Sequence, residues 1–192
     1  MLNTVRARRG MVTAPHHLAA RAGLRVLEDG GNAIEAMIAA ASTIAVVYPH
    51  MNGLGGDNFW LVHAPGRDVV GIDACGGAAA LAEPAFYSDA GFDAIPTRGP
   101  LAALTVAGAV SGWQRAFEYS KHEWGGKLPL ARLLEDARSY ADDGIAVTAT
   151  QADNTRAKLP ELQDAPGFVE TYLIDGALPA EGALFRQSRL AR

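Results

Sequence analysis

The 192-residue sequence predicts a layered α/β fold on three observations: an apolar helix with both ends marked, a glycine-rich turn behind it, and a strand pair opening from that turn. All three begin within residues 30–63, GGNAIEAMIAAASTIAVVYPHMNGLGGDNFWLVH. Asn32 is placed to cap a helix starting at Ala33, and Glu35 sits where its carboxylate reaches back to the cap's own N–H, an Asn-x-x-Glu form of the capping box. From Ala33 to Tyr48 only Glu35, Ser42, Thr43 and Tyr48 carry polar groups, so protein must surround this helix on nearly all sides. The run is too short, and charged too early, for a membrane span, and Pro49 stops it. Gly53, Gly55 and Gly56 then allow positive φ and close backbone approach before a strand at Phe59–His63.

The flanking segments follow the same logic. Leu18, Ala22 and Val26 recur at helical spacing between Pro15, suited to a first turn, and Gly30-Gly31, which predicts an amphipathic helix over 15–29. Met11-Val12-Thr13 before it reads as a short strand. The turn Ala64-Pro65-Gly66-Arg67-Asp68 joins Phe59–His63 to a second strand, Val69–Asp73, in a hairpin whose apolar character predicts a sheet covered on both faces. Val106–Trp124 reads as a helix packing through Val110, Trp113, Phe117 and Trp124. Pro129 opens another that carries Leu130, Leu133, Leu134, Ala137 and Ala141 inward and ends at Gly144. Thr148 and Gln151 form a second capping-box pattern, opening a helix expected to end near Pro160. Residues 182–192 read as the entry to a further helix.

Composition narrows the functional classes. With 49% hydrophobic and 20% charged residues the chain can build a sizeable core or part of a larger one. A net charge of −4 and a pI near 5.7 leave no electrostatic footprint for nucleic acid or an anionic membrane surface. The lone cysteine, Cys75, excludes an internal disulfide framework and an all-cysteine metal site within one chain. Residues 1–9, with Arg6, Arg8 and Arg9 but no apolar stretch after them, read as a flexible N-terminus without a secretory signal, and 10–192 as one incomplete domain; a cytoplasmic location is the expectation. His16 and His17 point about a hundred degrees apart on a helix and read as surface residues; His50, His63 and His122 are isolated, so no metal site is expected. Glu135, Asp136, Asp142 and Asp143 read as a solvated acidic face without a role.

The segments GGNAIEA (30–36) and PHMNGLGGDNF (49–59), with GMVTA (10–14), IDACGGAAALA (72–82), GPLAALTVAGAVSGW (99–113) and LPLARLLEDARSYADDGIAV (128–147), resemble the N-terminal part of the large subunit of the γ-glutamyltranspeptidase family. That resemblance covers residues 10–192 and implies an αββα layered sandwich of the N-terminal-nucleophile hydrolase type, present only in part. It further implies a precursor that cleaves itself before a threonine, whose hydroxyl attacks an amide while its freed amine acts as base, giving amide hydrolysis or acyl transfer without a cofactor. None of the threonines here stands in a segment similar to the family's cleavage motif. The resemblance therefore implies no catalytic residue in this chain and inactivity alone. It also implies, as partners, the remainder of the large subunit, a small catalytic subunit in a processed heterodimer, and a small-molecule amide or γ-glutamyl substrate such as those of glutathione metabolism.

At the position of Cys75 the resembling family carries an arginine that forks onto the α-carboxylate of the glutamyl group. A neutral thiol cannot make that pair, so beside a γ-glutamyltranspeptidase-like enzyme the alternative is an acylase or amidohydrolase acting on a non-glutamyl acyl amide. The candidate substrate-binding residues are Asp73, Cys75 and Gly76, at a strand end that forms a natural pocket wall, and Arg98, either a substitute cation or an exposed loop charge. Cys75 itself reads as a small residue at a strand end rather than a nucleophile, since no local motif supports a thiol enzyme. Two rivals stand beside this reading. A phosphate cradle at Gly53–Asp57 has the wrong order, because such loops open a helix and this one opens a strand. A non-catalytic scaffold or binding relative is the other.

Overall fold

A computed structural model describes residues 4–102 and 104–192. Helices α1 (His17–Glu28) and α2 (Ala33–Val47) lead into a hairpin of β1 (Asn58–Val62) and β2 (Val70–Ala74). A short helix α3 (Pro84–Asp89) and a 3₁₀ turn (Pro100–Ala102) precede α4 (Ala109–Glu123), α5 (Leu130–Leu133) and α6 (Glu135–Asp143). Strand β3 (Ile145–Ala146), helices α7 (Ala149–Leu162) and α8 (Phe168–Tyr172), and strand β4 (Leu184–Phe185) complete the described elements. No described helix is long and apolar enough to cross a membrane.

Helix α2 is the centre of the molecule. Its start is fixed as the sequence requires: Asn32 Oδ1 accepts from the N–H groups of Ile34 and Glu35, both at 3.0 Å, while Glu35 Oε2 accepts from the Asn32 N–H at 2.8 Å. The second carboxylate oxygen, Oε1, accepts from the Leu128 N–H at 2.9 Å, and Asn32 Nδ2 donates to Ser120 Oγ at 2.8 Å. The cap thus ties α2 to the end of α4 and the loop before α5, which is why a glutamate only 1% exposed is tolerated: each oxygen replaces water with an amide donor. At the other end, Gln187 Nε2 donates to the carbonyl of Val46 at 2.8 Å.

Two hydrophobic clusters flank α2. Val46 and Val47 join Ala19, Ala137, Ala141, Ile145, Val147 and Phe185 in one; Ile34, Ile38, Ala39 and Ala45 join Val26, Val62, Trp113, Ala116 and Leu133 in the other. One helix carrying two cores must be apolar nearly all round, as its sequence is. Helix α1 lies along it at close range because Gly23 has no side chain. A Cβ there would lie 2.8 Å from both Ala36 O and Val12 Cγ1.

Several sequence expectations are corrected. Met11–Thr13 forms no strand, since no neighbouring strand among the described residues supplies ladder partners. The predicted helix from Pro129 is broken: Leu134 adopts φ −94°, ψ −4°, separating α5 from α6, and Gly144 ends α6 at φ 93°. Helix α7 does end near Pro160, at Leu162, because proline near a helix end removes one donor while the Gln163 N–H still reaches Leu159 O. Its Thr148 cap accepts from the Gln151 N–H at 3.1 Å, but the Gln151 side chain is fully buried and does not return the bond. Residues 182–192 form strand β4 and turns, not a helix, because Leu184 and Phe185 pair with Ala146 and Ile145.

The hairpin is also covered differently from expectation. Trp60 and Ile72 pair across it, as do Val62 and Val70, on the face that α4 covers. Phe59 and Leu61 on the other face stand 66% and 85% exposed, so the sheet is covered on one side only within the described residues. His16 is buried and caps α1 through Nδ1, whereas His17 is exposed. Asp136, predicted to be solvated, is 6% exposed and paired with Arg25 of α1 and with Arg132 at 3.7 Å.

Candidate functional site

Beyond Ala74 the end of β2 runs against the segment that leads into α4. The Val106 N–H donates to Gly77 O at 3.0 Å, and Ala78 bridges to Thr105 in antiparallel fashion. The two backbones come so close that only glycine fits: a Cβ at Gly76 would lie 1.5 Å from Val106 O, and one at Gly108 would lie 1.9 Å from Ala74 O. The glycine loop closes a third side, since Gly56 O accepts from the N–H groups of Gly108 and Ala109 at 3.0 and 2.9 Å. Thus the run Gly53–Asp57 serves as a backbone acceptor and as a lead that carries Asp57 to the end of β2.

A cavity of about 370 Å³ opens beside this junction. Asp73, Cys75 and Gly76, three of the residues named from the sequence, line it together; Ser111 and Arg115 of α4 form the opposite wall. Arg98 is elsewhere, in an exposed ion pair with Glu161 at 2.7 Å. The Cys75 N–H donates to Asp73 Oδ1 at 2.9 Å, and the Gly76 N–H approaches Asp57 Oδ1 at 3.4 Å. The carboxylate of Asp57, then burial, then Asp73 push the Cys75 thiol above its ordinary value. A thiol held protonated by two acids is a poor nucleophile. The cavity wall therefore presents backbone groups and small side chains and no activated nucleophile.

Asp57, Gly108, Ser111 and Arg115 escaped the sequence reading. Asp57 was visible only as the end of a glycine run, and Gly108 only as one glycine among 21. Their proximity to Cys75 depends on the hairpin for Asp57 and on the return of the chain into α4 for the others, which no local pattern encodes. Among the described residues no group of three or more His, Cys, Asp or Glu side chains is arranged to hold a metal ion.

Helix α4 on the antiparallel hairpin, with the buried α2 packed against α4, is a helix-on-sheet layer consistent with the N-terminal-nucleophile hydrolase fold of the solved relatives, present here in part. The chain belongs to the gamma-glutamyltranspeptidase family, whose sequence profile matches residues 19–192. It is 58% identical over 182 residues to the oxamate amidohydrolase proenzyme of Klebsiella pneumoniae subsp. pneumoniae, an alignment covering 95% of this chain and 34% of that protein. Helicobacter pylori gamma-glutamyltranspeptidase superposes with a TM-score of 0.87 at 26% identity, over 98% of this chain and 54% of that one. Cephalosporin acylase from Bacillus halodurans superposes with a TM-score of 0.80 at 31% identity, over the whole of this chain and 38% of that one. The chain spans about a third of the length of the curated relative it matches.

Proposed function

We propose that this chain is the large-subunit part of an N-terminal-nucleophile amidohydrolase that hydrolyses a small, non-glutamyl acyl amide of the oxamate class. The observation that carries the reading is the wall at the end of β2. Where a glutamyl-binding relative needs a guanidinium, there is Cys75 between Asp57 and Asp73, so the bidentate partner that holds a glutamyl α-carboxylate is missing from this wall. The 58% identity to an oxamate amidohydrolase supports the same class. In this reading the nucleophile is a threonine outside these residues, freed by self-cleavage of a precursor. It attacks the amide carbonyl, ammonia leaves, and water releases the acid from the acyl-enzyme. No cofactor takes part. Residues 73–77 and 105–108 supply a rigid wall held by backbone hydrogen bonds, and α2 supplies the core beneath it.

The test is expression of the complete reading frame, followed by parallel assays of ammonia release from oxamate and of p-nitroaniline release from γ-glutamyl-p-nitroanilide. Turnover of oxamate with little or no γ-glutamyl cleavage is expected. Efficient γ-glutamyl cleavage would overturn the substrate class, and an unprocessed, inactive product would overturn the enzyme reading. The likeness to a cephalosporin acylase favours a second reading in which the acyl group is bulkier, and a panel of N-acyl amides of increasing size separates the two.

A further inference from the structure

Three aromatic side chains fasten the end of α2 to the beginning of α1. His16 is buried and caps α1, its Nδ1 accepting from the Leu18 N–H at 3.3 Å. Its ring stacks on His17 at 4.6 Å and lies 6.3 Å from Tyr48, which meets His50 edge-on at 4.3 Å. Both ring nitrogens of His50 are buried without a hydrogen-bond partner among the described residues. The His16 cap and the unpartnered nitrogens of His50 both favour a neutral ring. A protonated Nδ1 cannot accept from a helix N–H, a cation at a helix start opposes the helix dipole, and a charged His50 has no acceptor to stabilise it.

We propose that His16 and His50, with Tyr48 between them, form a proton-sensitive joint that holds the turn after α2 against the start of α1 only while both imidazoles are neutral. The turn in question carries Met51 and Asn52, whose N–H groups donate to Tyr48 O, and runs straight into the Gly53–Gly56 loop that brings Asp57 to the cavity. Opening the joint therefore loosens the root of that loop. It does so whichever amide the protein cleaves.

The charges facing the joint agree with this. His16 is pushed below its ordinary 6.5 by burial, then by His17 on its own helix and His50 across the joint; His50 is pushed down by burial. Among the described residues no carboxylate acts on either ring. From α8, Tyr172 donates its hydroxyl to Pro49 O at 3.3 Å, and burial drives that hydroxyl above its ordinary value, so it stays neutral. The sign follows directly. Both folded pKa values lie below 6.5, so the unfolded chain takes up protons first. The joint contributes fully above 6.5, weakens as pH falls from there through the folded values, and is constant below them.

The experiment uses the full-length protein and two substitutions that keep the packing but cannot titrate. His16→Asn retains a cap, and His50→Phe retains the edge-on contact with Tyr48. Thermal unfolding and amide exchange are followed at about pH 7.5 and about pH 5.5, on either side of the ordinary histidine value. In the wild type, protection at Leu18, Met51 and Asn52 is expected to fall several-fold beyond the intrinsic pH effect, because the open joint takes up protons that the closed joint resists. The doubly substituted protein is expected to show no such fall and to lose about 3 °C less in Tm over the same interval. Equal losses in both proteins would overturn the joint. Should the double variant fail to fold, an NMR titration of the wild-type imidazoles decides: midpoints below 6.5 at both positions support the proposal, and a midpoint at or above it in either ring refutes it.

Discussion

Helix α2 and strand β1 are separated by ten residues, and both are apolar, yet they are buried in opposite ways. Nearly every side of α2 meets protein drawn from this chain: α1 along one flank, α4 and α5 near its start, α6 along another. Strand β1 meets protein on alternate residues only, with Trp60 and Val62 against α4 and Phe59 and Leu61 facing outward. A helix can be enclosed by helices before and after it in the chain, because each brings its own satisfied backbone. A sheet of two strands needs further strands or a second layer, and an exposed apolar face of this kind marks a place where another surface belongs.

That contrast can be broken or sharpened by substitution. The largest effect is expected at Ile38, fully buried in the core shared with Trp113 and Leu133. Ile38→Ala should lower unfolding stability by about 2–5 kcal/mol in urea titrations, with the spread set by how far α1 and α4 collapse into the gap. Glu35→Gln comes next. The amide keeps one acceptor but cannot serve both the Asn32 and Leu128 N–H groups, so one buried donor is stranded at a cost of about 1–3 kcal/mol. A loss under about 0.5 kcal/mol would mean that the cap, despite its geometry, does not fasten α2 to the α4–α5 loop.

Leu61→Ser should change the stability of the 192-residue chain by no more than about 0.5 kcal/mol, because the side chain already faces water. A loss above about 2 kcal/mol would show the outer face of the hairpin to be covered. The smallest effect concerns reactivity rather than folding. Cys75 is exposed but flanked by Asp57 and Asp73, so its alkylation by iodoacetamide near neutral pH should be slow and should quicken in Asp57→Asn, as the carboxylate that most raises the thiol is removed. An unchanged rate would remove Asp57 from the electrostatics of the cavity.

What could be read in advance divides along the range of the interactions. Asn32, Glu35 and the apolar run to Val47 were legible as a capped, enclosed helix because capping and periodicity act within a few residues. The hairpin was legible for the same reason, from Pro65-Gly66 between two apolar runs. The break at Leu134 was hidden because its residues favour helix, and tertiary packing overrode that preference. Residues 182–192 misled because their helix-like composition said nothing of β3, the partner nearly forty residues earlier. At the cavity, Asp73, Cys75 and Gly76 were found since they lie together in sequence, and Arg98 was drawn in by its charge alone.

By itself, then, the sequence determined the capped core helix, its stop at Pro49, the glycine turn and the hairpin, and the motifs whose fixed spacing mark the family. These are local matters of donors, acceptors and periodic apolar faces, settled before distant segments meet. Only the tertiary structure decided that Gly76 and Gly108 touch, that Asp57 raises the thiol of Cys75, that His16 and His50 share one joint, and that one face of the hairpin stays bare. Each depends on chain segments about twenty or more residues apart closing on one another. That closure is driven by burial of the two cores around α2, and hydrophobic burial is non-directional: it names the residues that must go inside and leaves their neighbours to be fixed by packing.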